Sequence, residues 1–367
     1  MRKIINIAFL ILAAALTGIF YFAAGGEEAT SATAHTTKVG VLLSGAHTDK
    51  NYCQAHYEAL EALRPKDKLN LDIVYRENVT GDCYPDIISL IRDEGCRIIV
   101  GVSFQFGADM ERAAELYPDV YFLHTGGTGA QNNFSSFFGR MYQARYLLGI
   151  IAGSKTKTGH LGYVAAYPIP EVIRGVNAFA LGVRSVRPDA VVHVRYCQSW
   201  TDDDAAGKAC MALLDQYPID VMGMHTNSLA PHREADRRGV WSVGCNWDNA
   251  AEFPNTYLAA CVWQWEKCYH KQILDCLQGK FHGRNVWIDM SDDIVAISPL
   301  TRHVDVGAVA AVQAANEKMR ARTFDVFYGP VKDNLGNIRI EAGESMADSE
   351  MLNGFFWYVE GVTVERN

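Results

Sequence analysis

From Gly162 to Gly182 the chain reads as three pieces in fixed order: an apolar run, a turn bracketed by Pro168 and Pro170, and an amphipathic stretch that begins at Glu171. A short apolar run closed by a proline turn reads as a buried strand, and proline suits the first helical position because no N–H is needed there. Glu171 sets negative charge against the positive end of the helix dipole. Ligands of open α/β sheets bind at turns of this kind. Gly175 and Gly182 thin one face of the helix, which predicts close packing of that helix on the sheet.

The rest of the chain repeats this unit. Strands are expected at 38–43, 71–75, 97–102 and 120–124, with helices at 52–63, 83–93 and 106–116 between them. A helix at 140–153 leads to a second set, with strands at 161–165, 191–196, 220–224 and 240–243 and helices at 171–186, 204–216 and 231–238. Strand–helix alternation means parallel sheet, and 367 residues suit two cores rather than one. A strand at 256–260, a helix at 262–277 and C-terminal strands cross back. The expected class is therefore α/β with the type I periplasmic-binding-protein fold: two doubly wound parallel-sheet lobes with a ligand cleft between them. The first lobe is expected at 38–155 plus about 262–297, and the second at 156–261 plus part of about 298–361.

Arg2 and Lys3 precede a 21-residue apolar run, 4–24, interrupted by Asn6, Thr17 and Gly18. Residues 1–25 therefore read as a signal sequence or an N-terminal membrane anchor, followed by a small, polar linker at 26–37. Either reading places the body in the periplasm or otherwise outside the cytoplasm, with 4–24 as a tether if the segment is kept. Ala32-Thr33-Ala34 offers a cleavage site but lies far from the run, so cleavage and retention both stay open. A net charge of −8 argues against nucleic-acid binding, which needs clustered Lys and Arg, and suits a soluble monomer. Nine cysteines in an exported chain raise the disulfide question. Cys261, Cys268 and Cys276 fall on one expected helix, roughly 10–12 Å apart in rise and beyond disulfide reach. Cys53 with Cys83, and Cys197 with Cys245, are the expected bridges, each pair at corresponding strand-to-helix ends of one lobe.

The loops after the expected strands carry Tyr52 and His56, Ser103 and Phe104, Tyr167 to Glu171, Ser199 and Trp200, His225 to Ser228, and Asn246 to Asp248. Aromatic faces hold flat heterocycles while amides and carboxylates read the ring edge. With the Pro168-Ile-Pro-Glu171 turn, these residues make the chain similar to the basic-membrane-protein family, the purine-nucleoside-type substrate-binding proteins of bacterial ABC transporters, and closest to its adenine-binding branch. The resemblance runs from about 38 to 361 and implies a purine base or nucleoside as ligand and an ABC transporter permease as partner. It places Tyr52, Ser103, Phe104, Trp200, Asn227 and Asp248 at the ligand, with Lys50, Asn51 and Glu171 beside them. Many relatives are lipoproteins, but the first cysteine here is Cys53, which excludes lipid anchoring by that route. The relatives' Asp-Phe-Gly-Trp loop stands here as Asp49-Lys-Asn-Tyr52, and the aspartate of their His-Thr-Asp-Ser is Asn227. Asp248, an acceptor only, would take ring or exocyclic N–H groups or ribose hydroxyls, whereas Asn227 can both donate and accept. Adenine or adenosine is the favoured ligand.

Other features take plainer readings. Phe106, Trp247, His56 and His225 are expected in packing, and Asp202 to Asp204 at a helix start. Asn78 and Asn133 match glycosylation sequons. Gly126-Gly127-Thr128-Gly129 lacks the lysine and spacing of a phosphate loop and reads as a connector. No clustered aspartates near the first strand and no metal-spaced histidines support a purine nucleoside hydrolase, so no catalytic residue, metal or cofactor is expected. The alternative to delivery to a transporter is a membrane-anchored purine sensor whose closed form signals to a membrane partner.

Overall fold

The computed structural model describes residues 36–65 and 69–365. The apolar run 4–24 and the linker up to residue 35, with the cleavage question they carry, lie outside the described residues. Among the described residues no helix is long and apolar enough to cross a membrane.

The elements alternate as their hydrophobic periods require. The first series is β1 (Thr37–Leu43), α1 (Tyr52–Glu61), β2 (Leu71–Arg76), α2 (Tyr84–Arg92), β3 (Ile98–Val102), α3 (Gly107–Leu116), β4 (Tyr121–Thr125), β5 (Ala130–Gln131) and β6 (Phe134–Gly139). The second is α4 (Met141–Lys155), β7 (His160–Ala165), α5 (Pro170–Val186), β8 (Val191–Tyr196), α6 (Asp203–Gln216), β9 (Val221–His225), α7 (Ala230–Arg237), β10 (Trp241–Asn246) and β11 (Tyr257–Trp263). There follow α8 (Trp265–Leu277), β12 (Asn285–Ile288), β13 (Val295–Ile297), α9 (Val306–Arg320), the short strands β14 (Val331–Lys332) and β15 (Ile338–Ile340), α10 (Asp348–Asn353) and β16 (Val362–Val364). Strands such as Ile98–Val102 and Val221–His225 are buried along their whole length, as strands covered on both faces must be.

One sheet has the order β12-β6-β4-β3-β1-β2, with β5 antiparallel on β6; the other has β13-β11-β10-β9-β7-β8-β16. The pairings β12-β6, β6-β4, β4-β3 and β3-β1 in the first sheet and those from β11 through β10, β9, β7 and β8 to β16 in the second are all parallel, whereas β13 pairs antiparallel with β11. Within each sheet the first five major strands take the order 2-1-3-4-5, so the two lobes repeat one doubly wound plan. The chain passes between the sheets at Arg140, at Gln264, and between Ile288 and Val295. This is the expected type I architecture.

Gly182 does thin a helix face, but the neighbour is another helix. A Cβ there would sit 2.1 Å from the carbonyl oxygen of Tyr146 on α4, and one at Gly149 would sit 2.2 Å from that of Phe179 on α5. Two buried helices in backbone contact, rather than a helix on a sheet, are what these glycines permit. The expected bridges are absent: all nine cysteines are free thiols. Cys83 lies 3.5 Å from Asp109 Oδ2, Cys197 donates to the Ser199 carbonyl and Cys245 to the Thr226 carbonyl, so these sulfurs face other partners. Asn133 is no glycan acceptor in the fold, because its buried Nδ2 donates to the carbonyls of Ala114, Tyr117 and Val120. Asp202 caps α6, its Oδ1 accepting the Ala205 N–H at 3.0 Å, as an acidic helix start should.

Candidate functional site

In both sheets the strand order reverses next to the first strand of the repeat, between β1 and β3 and between β7 and β9. The residues that follow these four strands line one cavity of about 230 Å³. Ser44 comes from the loop after β1, Tyr52 from the first turn of α1, and Ser103 and Phe104 from the turn after β3. Tyr167 and Glu171 come from the proline turn after β7, Ser199 and Trp200 follow β8, and His225 ends β9 with Asn227 just beyond it.

Aromatic side chains form much of the wall. Tyr52 is fixed by a 3.2 Å hydrogen bond between its hydroxyl and that of Thr125. Its ring meets Trp263 edge-on, and Trp263 stacks on Trp265, which in turn stacks on His56. On the opposite sheet Trp200 packs edge-on against Tyr167 and His225, and its carbonyl accepts the Asn227 N–H at 2.7 Å. Phe104, by contrast, is 65% exposed. An apolar ring held open at the mouth of a cavity has surface to offer a flat ligand.

The polar wall belongs to the second sheet. Arg145 of α4 is buried and donates to the Tyr163 hydroxyl at 2.8 Å and to the Met224 carbonyl at 3.0 Å. Glu171 stands on the first turn of α5 with its side chain 34% accessible. Burial raises its pKa, while Arg174 and Arg145 pull it back down. Burial also holds His225 well below the ordinary imidazole value, with Arg145 and Arg174 adding to the effect. The wall thus offers a carboxylate acceptor, a neutral imidazole and the Asn227 amide. Among the described residues no group of His, Cys, Asp and Glu side chains could hold a metal ion.

Tyr52, Ser103, Phe104, Glu171, Trp200 and Asn227 therefore line the cavity, and Lys50, Asn51 and Asp248 do not. Lys50 pairs with Glu252 at 2.5 Å, Asn51 is fully buried, and Asp248 accepts the Ala250 N–H in its own loop. Strand β10 runs on to Asn246, three residues beyond its expected end, so Asn246 lines the cavity in place of Asp248. His225 lines it too, although it reads as packing from sequence. His56 does pack, donating or accepting a 2.7 Å bond with Tyr269, and Phe106 is fully buried. Phe138, Met141, Arg145 and Trp263 escape the sequence reading because they flank chain crossings between the sheets rather than following a strand in the usual βα turn. Arg145 alone left a signal, being the one cation in the first three turns of an otherwise apolar helix.

A family model described as ABC transporter substrate-binding protein PnrA-like matches residues 36–322. A purine-binding protein of Brucella abortus is 32% identical over 89% of this chain and 92% of its own length. A protein of Haloferax volcanii described as an ABC transporter glucose-binding protein is 30% identical, covering 93% of this chain and 82% of that one. Among solved structures, an ABC transporter solute-binding protein from Conexibacter woesei superposes with a TM-score of 0.67 at 20% identity, over 79% of this chain and 98% of that chain, a likeness of fold. With a family model spanning most of the folded body and a cavity built at the switch points of both sheets, the chain belongs to the Bmp family of PnrA-like ABC transporter substrate-binding proteins.

Proposed function

We propose that this protein captures a purine base or nucleoside outside the cytoplasm, with adenine or adenosine favoured, and delivers it to an ABC transporter permease. The observation that carries the reading is Phe104, an exposed ring that lines the same cavity as Trp200, Glu171 and Asn227. Two aromatic faces can sandwich a heterocycle, each stacked base being worth about 1–3 kcal/mol per aromatic. Glu171 accepts an exocyclic or ring N–H, and Asn227 supplies the donor and acceptor that adenine's edge asks for. The similarity to the Brucella purine-binding protein supports the same class. Tyr52 and Ser103 complete the wall on the side of the first sheet. The lobes divide at the three crossings of the chain and close on the ligand as a monomer, by selection of the closed state and without catalysis. The apolar run 4–24 tethers the protein if it is kept, and a retained anchor is what a sensor role would require.

The similarity to the Haloferax relative favours one competitor, a sugar. The test is calorimetric titration of the unfolded and refolded protein, freed of carried ligand, with adenine, adenosine, guanosine, hypoxanthine and glucose. One-to-one binding of a purine at micromolar or tighter affinity supports the reading. Binding of glucose alone, or of none of the purines, removes it.

A further inference from the structure

Asn246 ends β10 with left-handed backbone, φ 68°, and is 8% exposed. The orientation of its amide follows from chemistry. The indole N–H of Trp263 can only donate, and it lies 2.8 Å from Asn246 Oδ1. Nδ2 therefore points the other way, where it donates to Asn51 Oδ1 at 2.8 Å and to Asn227 Oδ1 at 3.1 Å. Asn51 belongs to the loop after β1 in the first sheet, whereas Asn227 and Trp263 belong to the second. A single side chain thus bonds the two lobes to each other.

Two more bonds join the same loops. Asn249 Nδ2 donates to the Lys50 carbonyl at 3.2 Å, and Lys50 Nζ meets Glu252 Oε1 at 2.5 Å. The loop tip is shaped beforehand by Asp49, whose carboxylate accepts the N–H groups of Asn51, Cys53 and Gln54. Lys50 itself sits at φ 51°, a conformation that lysine adopts only when its surroundings hold it there. Asn51 has its Nδ2 buried without a partner, a cost that the bond through its oxygen must offset.

We infer that Asn246, Asn51 and the Lys50–Glu252 pair form a latch that favours the closed arrangement of the lobes from within the protein, apart from any bond to ligand. Asn246 is a positioning residue: it holds Asn227 and Trp263 in the cavity wall while it draws the β1 loop against them. Closure is then partly intrinsic, and opening this latch is one of the steps that release the ligand. The binding consequence rests on the function proposed above; the effect on lobe separation does not.

The test uses Asn246→Gly, which keeps the left-handed backbone without strain, and Asn51→Gly, each in the full-length protein. Small-angle scattering without ligand should give a larger radius of gyration for both variants than for the wild type. The affinity for whichever purine the wild type binds should fall roughly three- to tenfold in each. Asn227→Asp keeps an acceptor for Asn246 and should scatter like the wild type. Scattering profiles of Asn51→Gly and the wild type that superpose, with thermal midpoints equal, overturn the latch, and that variant decides if Asn246→Gly does not fold. A wild type that binds no purine defeats the ligand assignment but leaves the scattering comparison intact.

Discussion

Glu171 Oε1 lies 3.8 Å from His225 Nε2, a carboxylate on the first turn of α5 against an imidazole at the end of β9. Burial raises the carboxyl and depresses the imidazole, so each is driven toward its neutral form and at neutral pH the contact is no ion pair. Glu171 accepts a ligand N–H most strongly while ionised, when both oxygens are acceptors and the bond is charge-assisted. Affinity for an amine-bearing purine should therefore be full at neutral pH and decline as pH falls through the raised carboxyl value, above the ordinary 4.5. His225 stays neutral throughout and adds nothing to the profile. Glu171→Gln should bind more weakly at neutral pH and show a flat profile. Titrations from about pH 8 to about pH 5 check both, and a sloping profile in the glutamine variant would assign the titration elsewhere.

Phe104 is the inverse case, a ring whose surface is available now. Since 65% of it is exposed, Phe104→Ala removes little that packs in the folded protein. Stability should change by less than about 0.5 kcal/mol, as for ordinary surface positions. Ligand affinity should drop by about 1–3 kcal/mol, roughly 5- to 150-fold, if the ring stacks on a base. Calorimetry and a thermal melt on the same sample separate the two effects. A drop in melting temperature with unchanged affinity would make Phe104 a packing residue.

The fold was legible because both lobes repeat one period: apolar strands of about six residues, amphipathic helices and proline or acidic helix starts. Phe104 and Glu171 could be found because they follow β3 and β7, which end at the switch points, and Trp200 because it follows the neighbouring strand β8. Asn246 stands in the same expected loop as Asp248, but which of the two reaches the cavity could not be read, since the end of β10 depends on its pairing with β11, which continues in register to Asn246 and Val262. Nor could Arg145 and Trp263, which reach the cavity only because the chain changes sheets beside them. Gly182 announced a close approach but not its partner, as a bare helix face fits a sheet or a second helix equally well. The cysteines misled for a related reason: equivalent places in a repeat do not fix where the side chains point.

Buried histidines should make the protein sensitive to mild acid. His56, His124, His225 and His232 all have depressed pKa values caused first by burial, His232 falling to about 3. In the unfolded chain each returns to about 6.5 and binds a proton that the folded form refuses. Their stabilising effect is thus complete above about pH 6.5 and is lost as pH falls from there toward each folded value. Inside its window each contributes a slope of up to about 1.4 kcal/mol per pH unit. Urea midpoints should fall clearly between about pH 7.5 and about pH 5. His232 donates or accepts one bond, from Nδ1 to Ser242 Oγ, while its Nε2 is buried without a partner. An unchanged midpoint would mean that these rings find protons or water in the folded state.

The α4–α5 contact gives the sharpest stability prediction. Gly149 on α4 and Gly182 on α5 face each other so closely that a Cβ on either would come within about 3 Å of the other glycine's Cα or the backbone beside it. Gly182→Ala places a methyl 2.1 Å from the Tyr146 carbonyl oxygen, and Gly149→Ala places one 2.2 Å from that of Phe179. Backbone cannot swing aside as a side-chain tip can, so the helices must separate. Alanine's better helix propensity, worth about 1 kcal/mol, opposes a loss of about 1–3 kcal/mol or more from overpacking. The net effect should be destabilising for both variants. Gly175→Ala differs in kind, because its nearest atoms are Arg145 Cδ at 2.8 Å and His225 Nδ1 at 3.1 Å, side chains of the cavity wall. That variant should lose ligand affinity more than stability. Denaturation and titration of all three distinguish the cases: a neutral Gly182→Ala would show that α4 and α5 can shift apart at little cost, and the backbone contact would then not be what holds them in register.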